Sequence, residues 1–264
     1  MKKIERQKKI LEILSKVPLT TISELSEILD VSTETIRKDL ITLSSEDKII
    51  QTHGGVALKI KRNKSQPFDY RMKISSHSKK VVAKKAITLI EKDDIVLLES
   101  STTSLALVNE LCKNKELLSS LVIVTSSFKI AALIDECFNE DEKKCKLFFI
   151  GGWMDFSQHS TSGMYVLDTL KEIHISKAFI SVAAIDEMLN LSGYSEEDVF
   201  FQKIAIQQAS TVILMVEKSK YSRKAMFRVG NLSEVDYLVT DIQLDDHIEK
   251  IARDSNVVII SANE

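Results

Sequence analysis

Along the first 58 residues, apolar positions follow a helical period three times and then fall into two short runs. Ile4, Ile10, Leu11 and Leu14 recur at the spacing of one helix face and predict a first amphipathic helix. Val17, Pro18 and Leu19 end it, because proline does not continue a helix interior. Thr20 or Thr21 suits the next N-cap, and Leu25, Ile28 and Leu29 give the second helix one apolar face. Asp30, Val31 and Ser32 form a short polar break around a valine expected to be buried. Ser32 is a good N-cap for a third helix over 33–45, with Ile36, Leu40 and Leu43 facing inward. Residues 48–52 and 56–58 flank Gly54-Gly55 and read as a β-hairpin, since glycine accepts the positive φ of a tight turn.

From residue 79 the pattern changes to alternating helix and strand. Val82, Ala83, Ala86, Leu89 and Ile90 mark a helix, and 95–98 is a continuous apolar run of the kind buried on both faces of a sheet. Further strands are expected over 121–124, 147–150, 178–182, 212–216, 237–240 and 257–260. Helices are expected over 104–112, 128–138, 164–173, 196–209 and 245–252. Such alternation predicts an α/β class, with a mostly parallel, Rossmann-like sheet covered by helices. Residues 59–78 are polar and basic around Pro67 and read as a linker that runs into a helix near Ser76. The expected division is a winged helix-turn-helix over 1–58, a linker over 59–75 and an α/β domain for effector binding and oligomerisation over 76–264.

Charge adds a modest bias. Residues 1–62 carry 12 Lys and Arg against 9 Asp and Glu, while the rest of the chain is net acidic. A basic head suits a nucleic-acid contact, although most excesses this small are solvated faces. Cys112, Cys137 and Cys145 lack metal-ligand spacing and read as reduced thiols of a cytoplasmic protein. The basic N-terminus has no apolar core of a signal peptide, and no apolar run is long enough for a membrane span. No metal site, cofactor or catalytic residue is expected.

Two places carry candidate chemistry. The second and third helices, joined by a short turn, have the helix-turn-helix layout, in which the N-terminal residues of the third helix meet base edges in the major groove. Arg37 can read guanine bidentately, and Thr33 and Thr35 can reach a phosphate or a thymine methyl. Ser32 and Lys38 flank them, and His53, Lys48 or Lys59 on the hairpin could touch phosphates. A helical module used for protein contacts would share the helix pair, but not the hairpin or the cluster at the start of the third helix. The second place is the carboxyl edge of the parallel sheet, where ligands bind next to helix N-termini. Glu99-Ser100-Ser101-Thr102-Thr103, Thr125-Ser126-Ser127, Gly151-Gly152 and Glu217-Lys218-Ser219-Lys220 each follow an expected strand. Any one such turn is most simply a helix cap. Together they suit a small phosphorylated, polyhydroxylated ligand.

The strings Glu24-Leu25-Ser26, Val31 to Leu40 (VSTETIRKDL) and His53-Gly54-Gly55-Val56 closely resemble the DeoR-type family of bacterial sugar-responsive regulators. The resemblance continues through Lys79-Lys80-Val81-Val82-Ala83 and the strand-end turns, where the family's sensor domain looks like that of sugar-phosphate isomerases. It implies a structural role for Asp39 and DNA contacts for the third helix. It also implies that Ser100 to Thr103 and Lys220 hold a phosphate, with Glu99 near sugar hydroxyls and Lys79, Ser126, Gly151 and Gly152 in the same site. Ser101 stands where the family has glycine, Glu99 and Glu217 where it has Asp, and Ser126 where an amide is usual; Gly193-Tyr194-Ser195 approximates a Gly-x-Thr turn. The expected function is a DNA-binding regulator, most simply a repressor relieved by a phosphorylated sugar. Its partners would be double-stranded operator DNA and that effector, with no membrane. One small reading head makes too little contact alone, so a homodimer or homotetramer is expected. The alternative is an isomerase-like enzyme, with Glu99 as general base and Lys220 as phosphate anchor.

Overall fold

The computed structural model describes residues 2–16, 20–46, 48–52, 55–58, 66–139 and 144–261. The chain divides into two compact units, Met1–Ile74 and Ser75–Glu264.

The first unit contains α1 (Lys3–Lys16), α2 (Ile22–Leu29), α3 (Thr33–Ser45), the strands β1 (Ile49–Thr52) and β2 (Gly55–Leu58), and α4 (Phe68–Lys73). Its core is Ile10, Leu14, Leu25, Ile36, Leu40, Leu43, Ile49 and Val56. The third helix therefore buries the face its period predicted. Ile4 and Ile28, expected on apolar faces, are instead exposed. Thr21 caps α2 through a reciprocal capping box: its hydroxyl accepts from the Glu24 N–H at 3.2 Å, and its own N–H donates to Glu24 Oε2 at 2.7 Å. That backbone donor holds the Glu24 carboxyl below its ordinary range. Asp30 ends α2 in the left-handed region at φ 50°, and the Ser26 hydroxyl closes the turn on the Val31 carbonyl at 2.5 Å. Ser32 then caps α3.

Strands β1 and β2 pair antiparallel, with Thr52 opposite Gly55. Gly54 and His53, at the expected turn, lie outside the described residues, as do residues 59–65 of the expected linker and Lys59 within them. Gly55 has a second role beyond the turn. At φ 145° its missing Cβ would stand 2.7 Å from the Thr20 carbonyl oxygen, where Thr20 and Val56 exchange backbone hydrogen bonds of 3.1 and 2.8 Å. Gly55→Ala is therefore expected to destabilise this unit by about 1–2 kcal/mol, read as faster amide exchange at Val56; unchanged exchange would refute the close-approach explanation. The helix α4 lies within residues expected to be linker, and its Phe68 and Tyr70 are buried.

The second unit opens with α5 (Ser76–Ala86) and continues through β3 (Ile95–Leu98), α6 (Thr102–Leu111), α7 (Lys115–Ser120), β4 (Val122–Thr125), α8 (Phe128–Glu136) and β5 (Lys146–Phe149). A hairpin of β6 (Trp153–Asp155) and β7 (Ser160–Ser162) follows, then α9 (Met164–Lys171), β8 (Ile175–Ile180), β9 (Ala184–Ile185), β10 (Asn190–Gly193) and α10 (Glu196–Gln208). The chain then runs through β11 (Ala209–Val216), β12 (Phe227–Asn231), β13 (Tyr237–Thr240), α11 (Asp246–Asp254) and β14 (Val258–Ile260). Seven strands form one sheet in the order β14-β13-β11-β8-β3-β4-β5, and every pairing in it is parallel. This is the Rossmann-like α/β domain that the alternation predicted. Beyond it, β9, β10 and β12 form a small antiparallel sheet that the apolar runs did not signal.

Strand order reverses at β3: the chain goes outward through β4 and β5, then returns to place β8 on the other side of β3. Such a reversal opens a crevice at the carboxyl ends of the two strands. The central strands are apolar on both faces, with Phe179, Ile180 and Ile213 to Val216 fully buried. Helix α5 packs against β11 and β13, and α10 against β8 and β11.

The cysteines depart from expectation. Cys112 and Cys137 are joined by a disulfide, with Cα atoms 5.7 Å apart, and only Cys145 is a free thiol. Each bridged cysteine caps the C-terminus of a helix, α6 and α8, and those helices pack together. A separation of 25 residues carries no sequence signature for that meeting.

Candidate functional site

In the first unit, burial of Ile36, Leu40 and Leu43 turns the opposite side of α3 outward. Thr33, Arg37, Lys38 and Ile41 are all exposed. Thr33, Arg37 and Ile41 follow one another at i, i+4 and so share a stripe. Lys38 lies 3.9 Å from Glu34, an exposed pair that contributes little to stability. Ser32 and Thr35 are engaged with each other: their hydroxyls are 2.9 Å apart, and the Thr35 N–H donates to Ser32 Oγ at 3.3 Å. They shape the helix start, while Thr33, Arg37 and Lys38 are its outward donors. Ile41 was not anticipated. Period alone left it unassigned, and an exposed isoleucine on that stripe suits a thymine methyl.

Asp39 points the other way. It is buried on α3, accepts from Arg6 Nε on α1 and receives the Gln7 side-chain amide at 3.2 Å. The aspartate in the middle of the helix motif thus clamps α1 to α3. Lys48, before β1, pairs with Glu46 at 2.7 Å. His53 lies outside the described residues.

In the second unit a cavity of about 290 Å³ opens at the carboxyl ends of β3 and β4. Its wall includes Glu99, Ser100 and Ser126 from the strand-end turns, the β6–β7 hairpin, and the first turn of α10. Glu99 follows β3 and reaches across the strand reversal. Its carboxylate accepts the Ser181 N–H beyond β8 at 2.6 Å and the Gln202 side-chain amide of α10 at 2.6 Å. Gln202 Nε2 also donates to the Ser181 carbonyl at 2.9 Å, so both acceptors fix the amide's orientation. The Gln202 carbonyl oxygen is then left buried with no hydrogen-bond partner among the described residues.

The other expected ligand groups lie elsewhere. Ser101 caps α6, with the Ser104 N–H donating to its hydroxyl at 3.0 Å. Thr102 and Thr103 are buried in the first turn of α6. Ser127 caps α8. For Ser101 and Ser127, the simple capping role is what the structure displays. Gly151 and Gly152 are exposed, Lys79 is buried in α5, and Lys220 is half-buried in a short 3₁₀ turn, Lys218–Lys220. None of these is among the residues lining the cavity. Glu217 is turned onto its own loop, accepting the Ser219 N–H and hydroxyl, each at 2.6 Å.

Sequence reasoning missed the hairpin wall, which contributes Asp155 and Ser160 to Ser162, and the α10 wall, which contributes Ser195 to Asp198 with Phe200 and Phe201. Only Ser195 carried a signal, in the Gly193-Tyr194-Ser195 turn; it caps α10 through the Asp198 N–H at 3.3 Å. Among the described residues, the lining carries five carboxylates, Glu99, Asp155, Glu196, Glu197 and Asp198, and no lysine or arginine. Three of those acids sit in the first turn of α10, whereas the first turn of α6 has none. The positive end of α10 is thus already offset, and that of α6 is not.

Comparison with known proteins places both units. Residues 6–62 match the model of the DeoR-like helix-turn-helix domain, and residues 74–242 that of the DeoR C terminal sensor domain. The HTH-type transcriptional repressor GlcR of Bacillus subtilis is 30% identical over 237 residues, 90% of this chain and 88% of that protein. The glycerol-3-phosphate regulon repressor of Escherichia coli is 25% identical over 97% of this chain and 98% of its own length. The L-fucose operon activator of the same species is 26% identical over 90% of this chain and 95% of its own.

Proposed function

The chain belongs to the DeoR family of transcriptional regulators, and on that premise we propose that it represses a sugar-metabolism operon by binding duplex operator DNA through α3. The observation that carries this reading is the two-sided third helix. Its inner face is fully buried, and its outer face offers Thr33, Arg37, Lys38 and Ile41 to a groove. Arg37 reads a base, while Lys38 and the helix start hold phosphates. Ser32 and Thr35 act mainly by holding the helix start in shape.

The effector is a phosphorylated sugar, with its hydroxyl-bearing part in the cavity beside β3. Glu99, Ser100, Ser126 and the hairpin hydroxyls suit sugar hydroxyls. Five carboxylates without a cation do not suit a phosphate. The phosphate fits the start of α6 better, where the first turn has no acid and the N–H groups of Thr102 and Thr103 lie at the positive end of the helix. Lys79 and Lys220 are proposed as its countercharges. The isomerase reading is weaker, because both oxygens of Glu99 already hold structural donors and the relatives are regulators.

Acting on DNA, the protein is proposed to work in the cytoplasm; among the described residues no helix is long and apolar enough to cross a membrane. Effector binding is expected to weaken operator affinity by about 1–3 kcal/mol, or 5–150-fold. Titration of the protein on its own upstream DNA, with and without phosphorylated sugars, checks both points. Affinity should fall steeply with salt. Salt-insensitive or absent DNA binding would overturn the regulator reading, and turnover of a sugar phosphate would restore the enzyme.

A further inference from the structure

Strand β5 lies at one end of the seven-stranded sheet and, among the described residues, pairs on one side only, with β4. All four of its residues are exposed, including Leu147, Phe148 and Phe149. The chain leaves it through Gly151-Gly152 into the β6–β7 hairpin, where Trp153 is 82% exposed, Phe156 73% and Met154 about half. Trp153 packs over Gly163, whose added Cβ would come within 3.1 Å of its ring. The next two residues, Met164 and Tyr165, are again exposed, at 67% and 80%. The hairpin is tied back to the end of β5, because the Thr161 hydroxyl donates to the Ile150 carbonyl. Edge strand, hairpin and the start of α9 therefore carry eight large apolar side chains in sequence continuity.

We propose that this surface is covered by a second copy of the same chain, through antiparallel pairing of β5 with its symmetry mate. Three observations select that occupant. First, the area fits. At about 200 Å² for each large side chain, the exposed fractions of these eight amount to roughly 900 Å², divided between the two faces of the sheet edge because neighbouring side chains of β5 alternate. A strand added at the edge continues both faces, and a standard interface buries about 800 Å² per partner.

Second, the edge is self-complementary. An open strand edge pairs with another strand, and a two-fold axis through the middle of β5 places Lys146 opposite Phe149 of the second copy. The two lysines then sit at opposite ends of the ladder, and no like charges meet. An isologous contact of this kind closes at two copies and does not grow into fibres. Third, each chain carries one winged head, and helix-turn-helix readers act in pairs on repeated half-sites. Only this third reason rests on the regulator reading.

Sedimentation velocity of the full chain without DNA, from about 0.1 to 50 μM, tests the proposal. The expected mass is twice 29.8 kDa or an even multiple of it. Phe148→Glu should lower that mass by a factor of two with circular dichroism unchanged. Trp153→Glu, at an exposed hairpin position, should do the same and decides the matter if the strand variant fails to fold. Amide exchange over residues 146–149 should slow with rising concentration in the parent chain only. A parent monomer at 50 μM, or a dimer indifferent to both substitutions, overturns the proposal. Operator binding by a monomer would sink this interface alone, and a dimer that ignores DNA would sink the regulator reading alone.

Discussion

Replacing Asp39 with alanine is expected to cost the first unit about 3 kcal/mol and to abolish operator binding with it. The Asp39 side chain is 1% exposed and that of Arg6 is 13% exposed. Removing the carboxylate leaves a guanidinium largely out of water beside an unfilled space, and strands the Gln7 amide that donates to the other oxygen. Breaking a fully buried pair costs about 3–5 kcal/mol; the partial exposure of Arg6 favours the lower end. Asp39→Asn keeps an acceptor and the volume, so its cost should be smaller. The chain's one tryptophan, Trp153, lies in the other unit, so its fluorescence does not report on this loss. Amide exchange over α1 and α3 does, and a 3 kcal/mol loss corresponds to exchange faster by about a hundredfold in those helices. Unchanged exchange would show that Asp39 is not the clamp.

Arg37→Ala should have the opposite profile: intact folding and weaker, less selective DNA binding. Arg37 is exposed on the outer stripe of α3, so its removal should alter stability by no more than about 0.5 kcal/mol. At the cognate operator, loss of a bidentate guanine contact is expected to cost about 1–3 kcal/mol, and discrimination at one base pair should relax. Lys38→Ala is the control. A phosphate contact should weaken binding almost uniformly across sequences and lower the salt slope by about one. Equal losses on cognate and random DNA for Arg37→Ala would move Arg37 from base reading to phosphate holding.

The first three helices of the first unit, the parallel strands of the second and the outward donors of α3 were legible because each rests on local spacing; α4, within the expected linker, was not. Ile36, Leu40 and Leu43 repeat at a helical interval, and a helix that buries one face must expose the other. Thr21 and Ser32 likewise act within three residues of themselves, so their caps can be read from the string alone. The same spacing placed Ile4 and Ile28 inward and could not do otherwise, since a period marks where an apolar face can form and not what covers it.

What only the tertiary structure decided depends on contacts remote in sequence. Glu99 finds its partners 82 and 103 residues further along, and so becomes a brace at the strand reversal as well as a cavity wall. The cavity needs a hairpin and the first turn of α10, which no strand-end rule joins to β3. Cys112 meets Cys137 because two helices pack, and Gly55 is required by the approach of the Thr20 backbone. The run around Leu147 to Phe149 reads like any buried strand, yet folding leaves it at the sheet edge. Hydrophobicity along a chain determines which segments form elements; only the order in which the strands assemble decides which of them keeps an open side.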